Sequence, residues 1–206
     1  MIGKRGIQVK TKSYHHGNLR NELIEAGLKI INEVGVENLS LRKAASMCGV
    51  SHAAPKSHFE DKEAFIAAIK EQVTEEFTEA MQSAVEETKD PRWLIYEFGK
   101  AYVQYFVEHP DRFVFITNQR DIEVRISANQ IYESSYLPFQ IFQEHASAIL
   151  IEAGVPERLI PKKIIALWAM VNGLAGLTAM KGFCYEGDWM KMVESILAES
   201  DRLCQK

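Results

Sequence analysis

Apolar residues recur at intervals of three and four along most of the chain, which is the spacing that one face of an α-helix requires. A first stripe covers residues 19–34 and stops at Gly35. A second covers residues 65–81, and Asp61 is placed to cap its first turn. The alternation of apolar and polar residues that is typical of a half-buried strand does not stand out. The pattern therefore predicts helices rather than sheets.

Proline, glycine and capping residues divide the rest of the chain into further helices. These helices are predicted to start at Asp90-Pro91, near Phe139, at Pro161 and near Asp188. The first three of these helices are predicted to end at His109-Pro110, near Gly154 and at Gly182. The expectation is an all-α fold of about nine helices.

Residues 164–180 carry no charge and could be mistaken for a membrane span. Crossing a bilayer takes about 20 apolar residues, and this run is at the short limit and includes Asn172, Gly173 and Gly176. We expect a helix that is buried on several faces inside a protein, and no membrane partner.

The segment between the two stripes has the pattern of a helix-turn-helix. Ser40 is placed to cap a short helix over residues 41–47, Gly49 allows a tight turn, and Ser51 is placed to cap a second short helix. Ala44 and Ala45 are small enough for the two helices to cross closely. Such a motif lets the second helix protrude into a DNA major groove, which is about 12 Å wide.

The distribution of charge supports contact with a polyanion. The net charge is −4, yet residues 1–59 hold more Lys and Arg than Asp and Glu, and the remainder is acidic. Residues 1–13 are expected to form a flexible basic arm.

Residues 14–66 resemble the DNA-binding domain of the TetR family of transcriptional regulators. The resemblance rests on YHHGNLR at 14–20, Gly35, SLR at 40–42, GVSHAAP at 49–55, HF at 58–59 and KE at 62–63. A weaker similarity lies in WAMVNGL at 168–174, where many relatives have histidine at the position of Asn172.

The resemblance implies an all-helical homodimer with three parts. These are the arm over 1–13, a helix-turn-helix DNA-binding domain over 14–60, and a helical effector-binding and dimerisation domain over 61–206. The first three helices would form the head, the fourth would join it to the body, and the last two would pair with those of a partner in a four-helix bundle. The body would hold a pocket for a small effector, whose binding changes the spacing of the two heads.

The chain departs from the family pattern just before His58-Phe59. Relatives commonly carry an aromatic and then a basic residue where this chain has Lys56 and Ser57, so the operator cannot be copied from relatives. Pro55 removes a backbone donor and disfavours helical geometry at Ala54, which predicts an irregular start to the second helix of the motif or a start at Pro55.

Ten residues are predicted to contact DNA. His52, Ala53, Lys56 and Ser57 are assigned to base edges or adjacent contacts, and Arg42, Lys43 and Lys62 to phosphates. The full set is Arg20, Arg42, Lys43, Ser51, His52, Ala53, Lys56, Ser57, His58 and Lys62. The alternative is an ordinary solvated helix face, and His58 also fits a packed or capping residue.

A second set is predicted to line an effector pocket, although aromatic residues at helical spacing are usually core. The set is Phe98, Tyr102, Tyr105, Phe106, Tyr136, Phe139, Trp168 and Asn172, and Phe113, Tyr132 and Phe142 share the pattern. Asn172 needs hydrogen-bond partners in an apolar helix, from an effector or from its own copy across a dimer.

A third set is predicted to form the dimer interface, because small residues on one helix face allow a close approach. The set is Ala169, Gly173, Gly176, Trp189, Val193, Ile196 and Leu197.

Enzymatic and metal chemistry are not expected. No second ligand stands three or four residues from His109 or His145, and no nucleophile-base pair is apparent. The three cysteines form no CxxC pair and favour a reducing compartment, the cytoplasm. No catalytic residue, metal or cofactor is predicted.

The sequence thus predicts a regulator, in the first instance a repressor, that binds a near-palindromic operator as a dimer and is released by a small-molecule effector. Two alternatives remain. One is an all-α enzyme or metal protein, and the other is a small-ligand-binding protein whose head has lost specific DNA binding.

Overall fold

A computed structural model of the protein describes residues 19–119, 123–125 and 134–204, and the side chains up to residue 199. Eight α-helices occur in these ranges, and no strand does: α1 Leu19–Val34, α2 Leu41–Met47, α3 Lys62–Glu87, α4 Leu94–Glu108, α5 Pro110–Thr117, α6 Leu137–Glu152, α7 Ile160–Ala179 and α8 Trp189–Cys204. The predicted arm over 1–13 and the motif residues 14–18 lie outside the described residues. The all-α prediction is confirmed.

The helices α2 and α3 begin where the sequence places capping side chains. Asp61 accepts a hydrogen bond from the Ala64 backbone N–H at 2.7 Å, and Ser40 accepts one from Lys43 N–H at 3.4 Å. Each bond satisfies a donor that the first helical turn leaves unpaired. Gly35 ends α1 with φ +86°, a conformation that side-chain-bearing residues rarely adopt.

The predicted number of about nine helices is reached when the second helix of the helix-turn-helix is counted. That helix is a single 3-10 turn, Ala54–Ser57, rather than an α-helix. His109-Pro110 does end α4, as predicted, but Pro110 also starts α5 at once, because proline is tolerated in the first helical turn. The long apolar helix ends at Ala179, three residues before the predicted Gly182.

Two apolar cores meet within α3. The core of the head includes Phe65 and Val73 of α3, together with α1, α2 and Phe115 of α5. The core of the body begins one turn further along α3, at Phe77, and takes in α4, α6, α7 and α8. The first helix of the predicted body domain is therefore also part of the head.

The apolar helix α7 packs against α4, α5, α6 and α8. Together with the short turn before it, this helix forms the segment Glu157–Ala179, which is long and apolar enough to cross a membrane. In this fold its apolar residues Ile164, Leu167 and Ala175 are buried among neighbouring helices.

Candidate DNA-binding face and effector cavity

A glycine turn fixes the geometry of the helix-turn-helix. Gly49 follows α2 with φ +70°, and its N–H donates to the carbonyl of Ser46 at 3.2 Å. The N–H of Val50 donates to the carbonyl of Ala45 at 3.0 Å, so the last carbonyls of α2 are paired. Ala44 and Ala45 are fully buried where the helices cross, which agrees with the predicted close approach.

Pro55 shapes the second element of the motif. It is buried, and its carbonyl accepts hydrogen bonds from the N–H groups of His58 and Phe59 at 3.0 and 2.9 Å. The turn begins after Ala53, with no side-chain cap, so the prediction that Ser51 caps this helix is wrong. The irregular start predicted from Pro55 is confirmed.

Most of the predicted DNA-contacting side chains share the exposed surface of this motif, which we call the DNA-binding face. Its exposed members are Arg42, Lys43, Ser51, His52, Ala53, Lys56 and Ser57. The Nε2 atom of His52 lies 3.1 Å from the hydroxyl of Ser46, which fixes the imidazole across the turn from α2. The hydroxyl of Ser57 donates to the carbonyl of Ala54 at 2.7 Å and keeps its lone pairs free to accept.

Three other predicted residues have partners inside the head. The ammonium of Lys62 donates to the carbonyl of Glu37 at 2.7 Å, which ties α3 to the turn after α1. The guanidinium of Arg20 lies 5.8 Å from the centre of the Phe59 ring, a cation-π contact. His58 is half-buried, in keeping with the packed alternative for that residue.

A cavity of about 190 Å³ opens in the body between α4, α5 and α7, and we call it the aromatic cavity. Five of the eight predicted pocket residues line it: Tyr102, Phe106, Tyr136, Trp168 and Asn172. Phe113, which shares the aromatic pattern, lines it too, and so do Ile116, Thr117, Gln119 and Val124, which the sequence analysis missed. Residues 113, 116 and 117 have the three-and-four spacing of one helix face. Because α5 is only eight residues long, this spacing is too short a pattern to predict the cavity wall from the sequence.

The remaining aromatic candidates do not line this cavity. Phe98 packs on Phe142, and their ring centres are 5.5 Å apart. Phe139 packs on Trp168, with ring centres 4.9 Å apart, but does not line the cavity. Tyr105 instead contacts Glu76 on α3, to which its hydroxyl donates a hydrogen bond at 3.5 Å. Tyr132 lies outside the described residues.

Asn172 finds its partners within the protomer. Its Oδ1 accepts a hydrogen bond from the Tyr102 hydroxyl at 3.0 Å, and its Nδ2 donates to the carbonyl of Trp168 at 2.9 Å. Burial raises the pKa of Tyr102 well above its usual value, and the neighbouring Tyr136 adds to the effect. Burial also raises the pKa of Tyr136, so both phenols stay neutral at physiological pH.

A buried arginine on α5 joins the head to the body. The Arg112 guanidinium donates to Glu25 on α1 and to Glu76 on α3, each at 2.8 Å, and we call this group the Arg112 junction. Burial lowers the pKa of Arg112, but the hydrogen bond and the charge of Glu76, aided by the charge of Glu25, outweigh burial and raise it overall. The arginine therefore stays charged, with only 10% of its side chain exposed.

Sequence reasoning missed the Arg112 junction. The two glutamates stand 36 and 87 residues from Arg112 along the chain, and no local spacing links them to it.

The predicted dimer-interface residues differ in how far they are exposed in the protomer. Ala169 and Gly173 are exposed on α7, and a Cβ atom added at Gly173 would meet nothing within 4 Å. Val193 and Leu197 are buried in the protomer's own core, contrary to the expectation that they face a partner, because α8 turns its apolar stripe toward α4. Trp189 and Ile196 are partly buried against the same core, and Gly176 faces the ring of Phe113.

Among the described residues, no group of three His, Cys, Asp or Glu side chains is placed to hold a metal ion.

Comparison with known proteins assigns the body of the chain to a family. A family model described as the tetracyclin repressor-like C-terminal domain matches residues 95–199, about half of the chain. The tetracycline repressor protein class A from transposon 1721 of Escherichia coli is 35% identical over 82 residues, which are 39% of this chain and 36% of that protein. The match thus spans about a third of the length of this relative.

Solved structures share the fold at lower identity. The TetR family transcriptional regulator PfmR from Thermus thermophilus has a TM-score of 0.63 and 21% identity, over 87% of this chain and 97% of that one. The transcriptional regulator FadR from Bacillus subtilis, solved in complex with stearoyl-CoA, has a TM-score of 0.63 and 15% identity, over 88% of this chain and 96% of that one. The family match, the helix-turn-helix and the helical body agree, and this chain belongs to the TetR family of transcriptional regulators.

Proposed function

We propose that this protein is a repressor that binds a near-palindromic DNA operator as a homodimer and is released when a small-molecule effector enters the aromatic cavity. The observation that carries the proposal is the DNA-binding face, where basic and polar side chains of α2 and the 3-10 turn are exposed together on a closely packed motif. Arg42, Lys43 and Lys56 supply positive charge for phosphates, and residues 52–57 lie where a protruding motif meets base edges.

The contact between His52 and Ser46 indicates which base group His52 reads. The Ser46 hydroxyl donates its hydrogen to the carbonyl of Arg42 at 3.0 Å, so toward His52 it accepts a hydrogen bond. The neutral imidazole then carries its proton on Nε2 and presents Nδ1 as an acceptor. In the major groove such an acceptor pairs with the exocyclic amino group of adenine or cytosine.

Selection of bound DNA from a random pool, followed by a salt titration on the selected site, tests this function. A two-fold-symmetric site whose affinity falls steeply with salt is the expected result, with log K decreasing by about 0.9 for each phosphate contact per log unit of salt. Failure to enrich any sequence would contradict the repressor and favour a ligand-binding protein whose head no longer reads DNA.

Charge reversal on the DNA-binding face should weaken operator binding. We expect Arg42→Glu and Lys56→Glu each to lower the affinity about tenfold or more, which corresponds to at least ~1.4 kcal/mol, and to reduce the salt slope by about 0.9. Lys89→Glu, at an exposed site beyond the end of α3, makes the same change of net charge and should leave both quantities unchanged. Equal losses for all three variants in a fluorescence-anisotropy titration would argue against specific contacts at positions 42 and 56.

The proposed dimer interface lies on the exposed apolar face of α7. Ile165, Ala169 and Gly173 succeed one another there at intervals of four, and Met192 is exposed on the neighbouring α8. The small residues allow a partner helix to approach closely, in the manner of a four-helix bundle.

Replacing Gly173 by leucine should weaken dimerisation. Gly173 is exposed and an added Cβ atom meets nothing within 4 Å in the protomer, so we expect the leucine side chain to clash with a closely packed partner helix rather than with its own protomer. Sedimentation velocity over a range of concentrations should show a shift toward monomer for Gly173→Leu. Ala148→Leu, on the exposed face of α6, is the matched control and should sediment as the wild-type protein. An unchanged equilibrium for Gly173→Leu would place the interface elsewhere.

The position of α5 supports control of the head by an effector. Phe113 and Ile116 line the aromatic cavity, and Arg112 on the same helix holds Glu25 of the head. A ligand that shifts α5 would therefore move a contact of α1. The ligand would weaken DNA binding by a free energy no larger than the difference between its affinities for the DNA-binding and the released positions of the head.

A further inference from the structure

The described residues that line the aromatic cavity are uncharged. None of these ten residues is Asp, Glu, Lys, Arg or His, and none of the three residues of the Arg112 junction is among them. An ionised ligand group would lose its hydration on entering and would meet no counter-ion. A neutral ligand does not incur this cost.

Aromatic rings define the shape of the cavity. The ring of Tyr102 meets Trp168 at 5.1 Å with the planes at 80°, and Phe106 meets Phe113 at 5.1 Å and 78°. Edge-to-face packing is an arrangement that aromatic rings prefer, and an aromatic guest can make it with these side chains. At about 190 Å³ the cavity is only slightly larger than the apolar cavity of about 150 Å³ that holds benzene, so it suits one or two fused rings.

One pair of side chains gives the wall a polar anchor. The Tyr102 hydroxyl uses its hydrogen on Asn172, and its oxygen retains lone pairs that accept a hydrogen bond. Asn172 Nδ2 uses one hydrogen on the carbonyl of Trp168 and has a second to donate. A hydroxyl group on the ligand satisfies both residues, because it donates to Tyr102 and accepts from Asn172.

We propose that the aromatic cavity binds a small, neutral, hydroxylated aromatic molecule of one or two fused rings, anchored by Tyr102 and Asn172, and discriminates against the corresponding carboxylate. This inference rests on the proposed effector role of the cavity and names the chemical class of the effector.

Calorimetric titration of the full-length protein with three matched probes tests the ligand class. β-Naphthol has the ring and the hydroxyl, naphthalene lacks the hydroxyl, and β-naphthoate replaces it with a charge. We expect β-naphthol to bind most tightly and β-naphthoate to bind at least about tenfold more weakly, which corresponds to ~1.4 kcal/mol. Absence of β-naphthol binding, or binding of β-naphthoate with equal affinity, would overturn the proposal.

Variants locate the anchor. Asn172→Leu should weaken β-naphthol binding about tenfold and leave naphthalene binding unchanged. Asn118→Leu is the matched control, since Asn118 makes the same bond to the carbonyl four residues earlier, on Val114, and does not line the cavity. Tyr102→Phe provides a second test if Asn172→Leu fails to fold, because it removes the accepting oxygen and keeps the ring. Unchanged β-naphthol affinity in a folded anchor variant would overturn the assignment.

A separate readout distinguishes failure of this inference from failure of the proposed function. Release of the selected operator is followed by fluorescence anisotropy while each probe is added. If β-naphthol binds with the expected selectivity and DNA stays bound, the ligand class stands and the effector role fails. If β-naphthoate binds more tightly and releases DNA, the effector role stands and the neutral ligand class fails.

Discussion

Replacing Phe77 by alanine is expected to lower the free energy of unfolding by about 3–5 kcal/mol, the loss typical of a buried phenylalanine. Phe77 is fully buried, and its ring lies 4.7–5.1 Å from the rings of Tyr102, Tyr105 and Phe106. The truncation leaves a cavity between α3 and α4 that these rings cannot fill. Because whole domains are stable by only about 5–15 kcal/mol, the effect is a large part of the total.

Urea denaturation followed by circular dichroism, at one fixed protein concentration, measures this loss. The concentration is held constant because self-association adds to the apparent stability. Trp93→Ala removes a larger side chain from a site that is 51% exposed, and it should cost less than about 1 kcal/mol. Similar losses for the two variants would show that Phe77 does not hold the body together.

Replacing Arg112 by methionine is expected to destabilise the protein and to loosen the attachment of the head. The change leaves Glu25 and Glu76 close together without their shared cation. Removing one partner of a fully buried pair costs about 3–5 kcal/mol. Glu25 is 47% exposed and Glu76 is 33% exposed, so solvent screens part of the effect and we expect about 2 kcal/mol.

The charge of the glutamates provides the control for this prediction. If the uncompensated charge of the two glutamates causes the instability, adding Glu25→Gln and Glu76→Gln to Arg112→Met should recover much of the stability. Native-state hydrogen exchange of α1 should increase in Arg112→Met, because the head loses its ion pair to the body. Unchanged exchange in α1, with a full loss of global stability, would mean that the Arg112 junction supports the body alone.

The sequence predicts features that depend on neighbours along the chain. The caps at Ser40 and Asp61 join residues three apart, and helical periodicity already separates buried from exposed positions in α1 and α3. The departure at Pro55 is local too, since it follows from one missing N–H and one restricted dihedral angle. These features were predictable because each involves only a few consecutive residues.

Features that depend on which helix faces which were not predictable in this way. The apolar stripe of α8 has the same spacing whether Val193 packs on its own protomer or on a partner, and only the fold shows that it packs on its own. Tyr102 and Tyr105 lie three apart on α4, yet one lines the aromatic cavity and the other contacts Glu76. Periodicity shows that such residues are buried, but not what they are buried against.

The sharing of α3 between two cores bears on how this regulator can be recombined with its relatives. A chimera joined at the motif boundary, near residue 60, would take α1 and α2 away from Phe65, Ile69 and Val73, on which they pack. A junction between Val73 and Phe77 keeps the contacts among α1, α2 and the start of α3 with one parent, and Phe115 of α5 is the head-core residue that the other parent would supply. The exchangeable DNA-reading module of this protein therefore includes the first three turns of α3. The body that receives it also needs an arginine at the position of Arg112 to pair with Glu25.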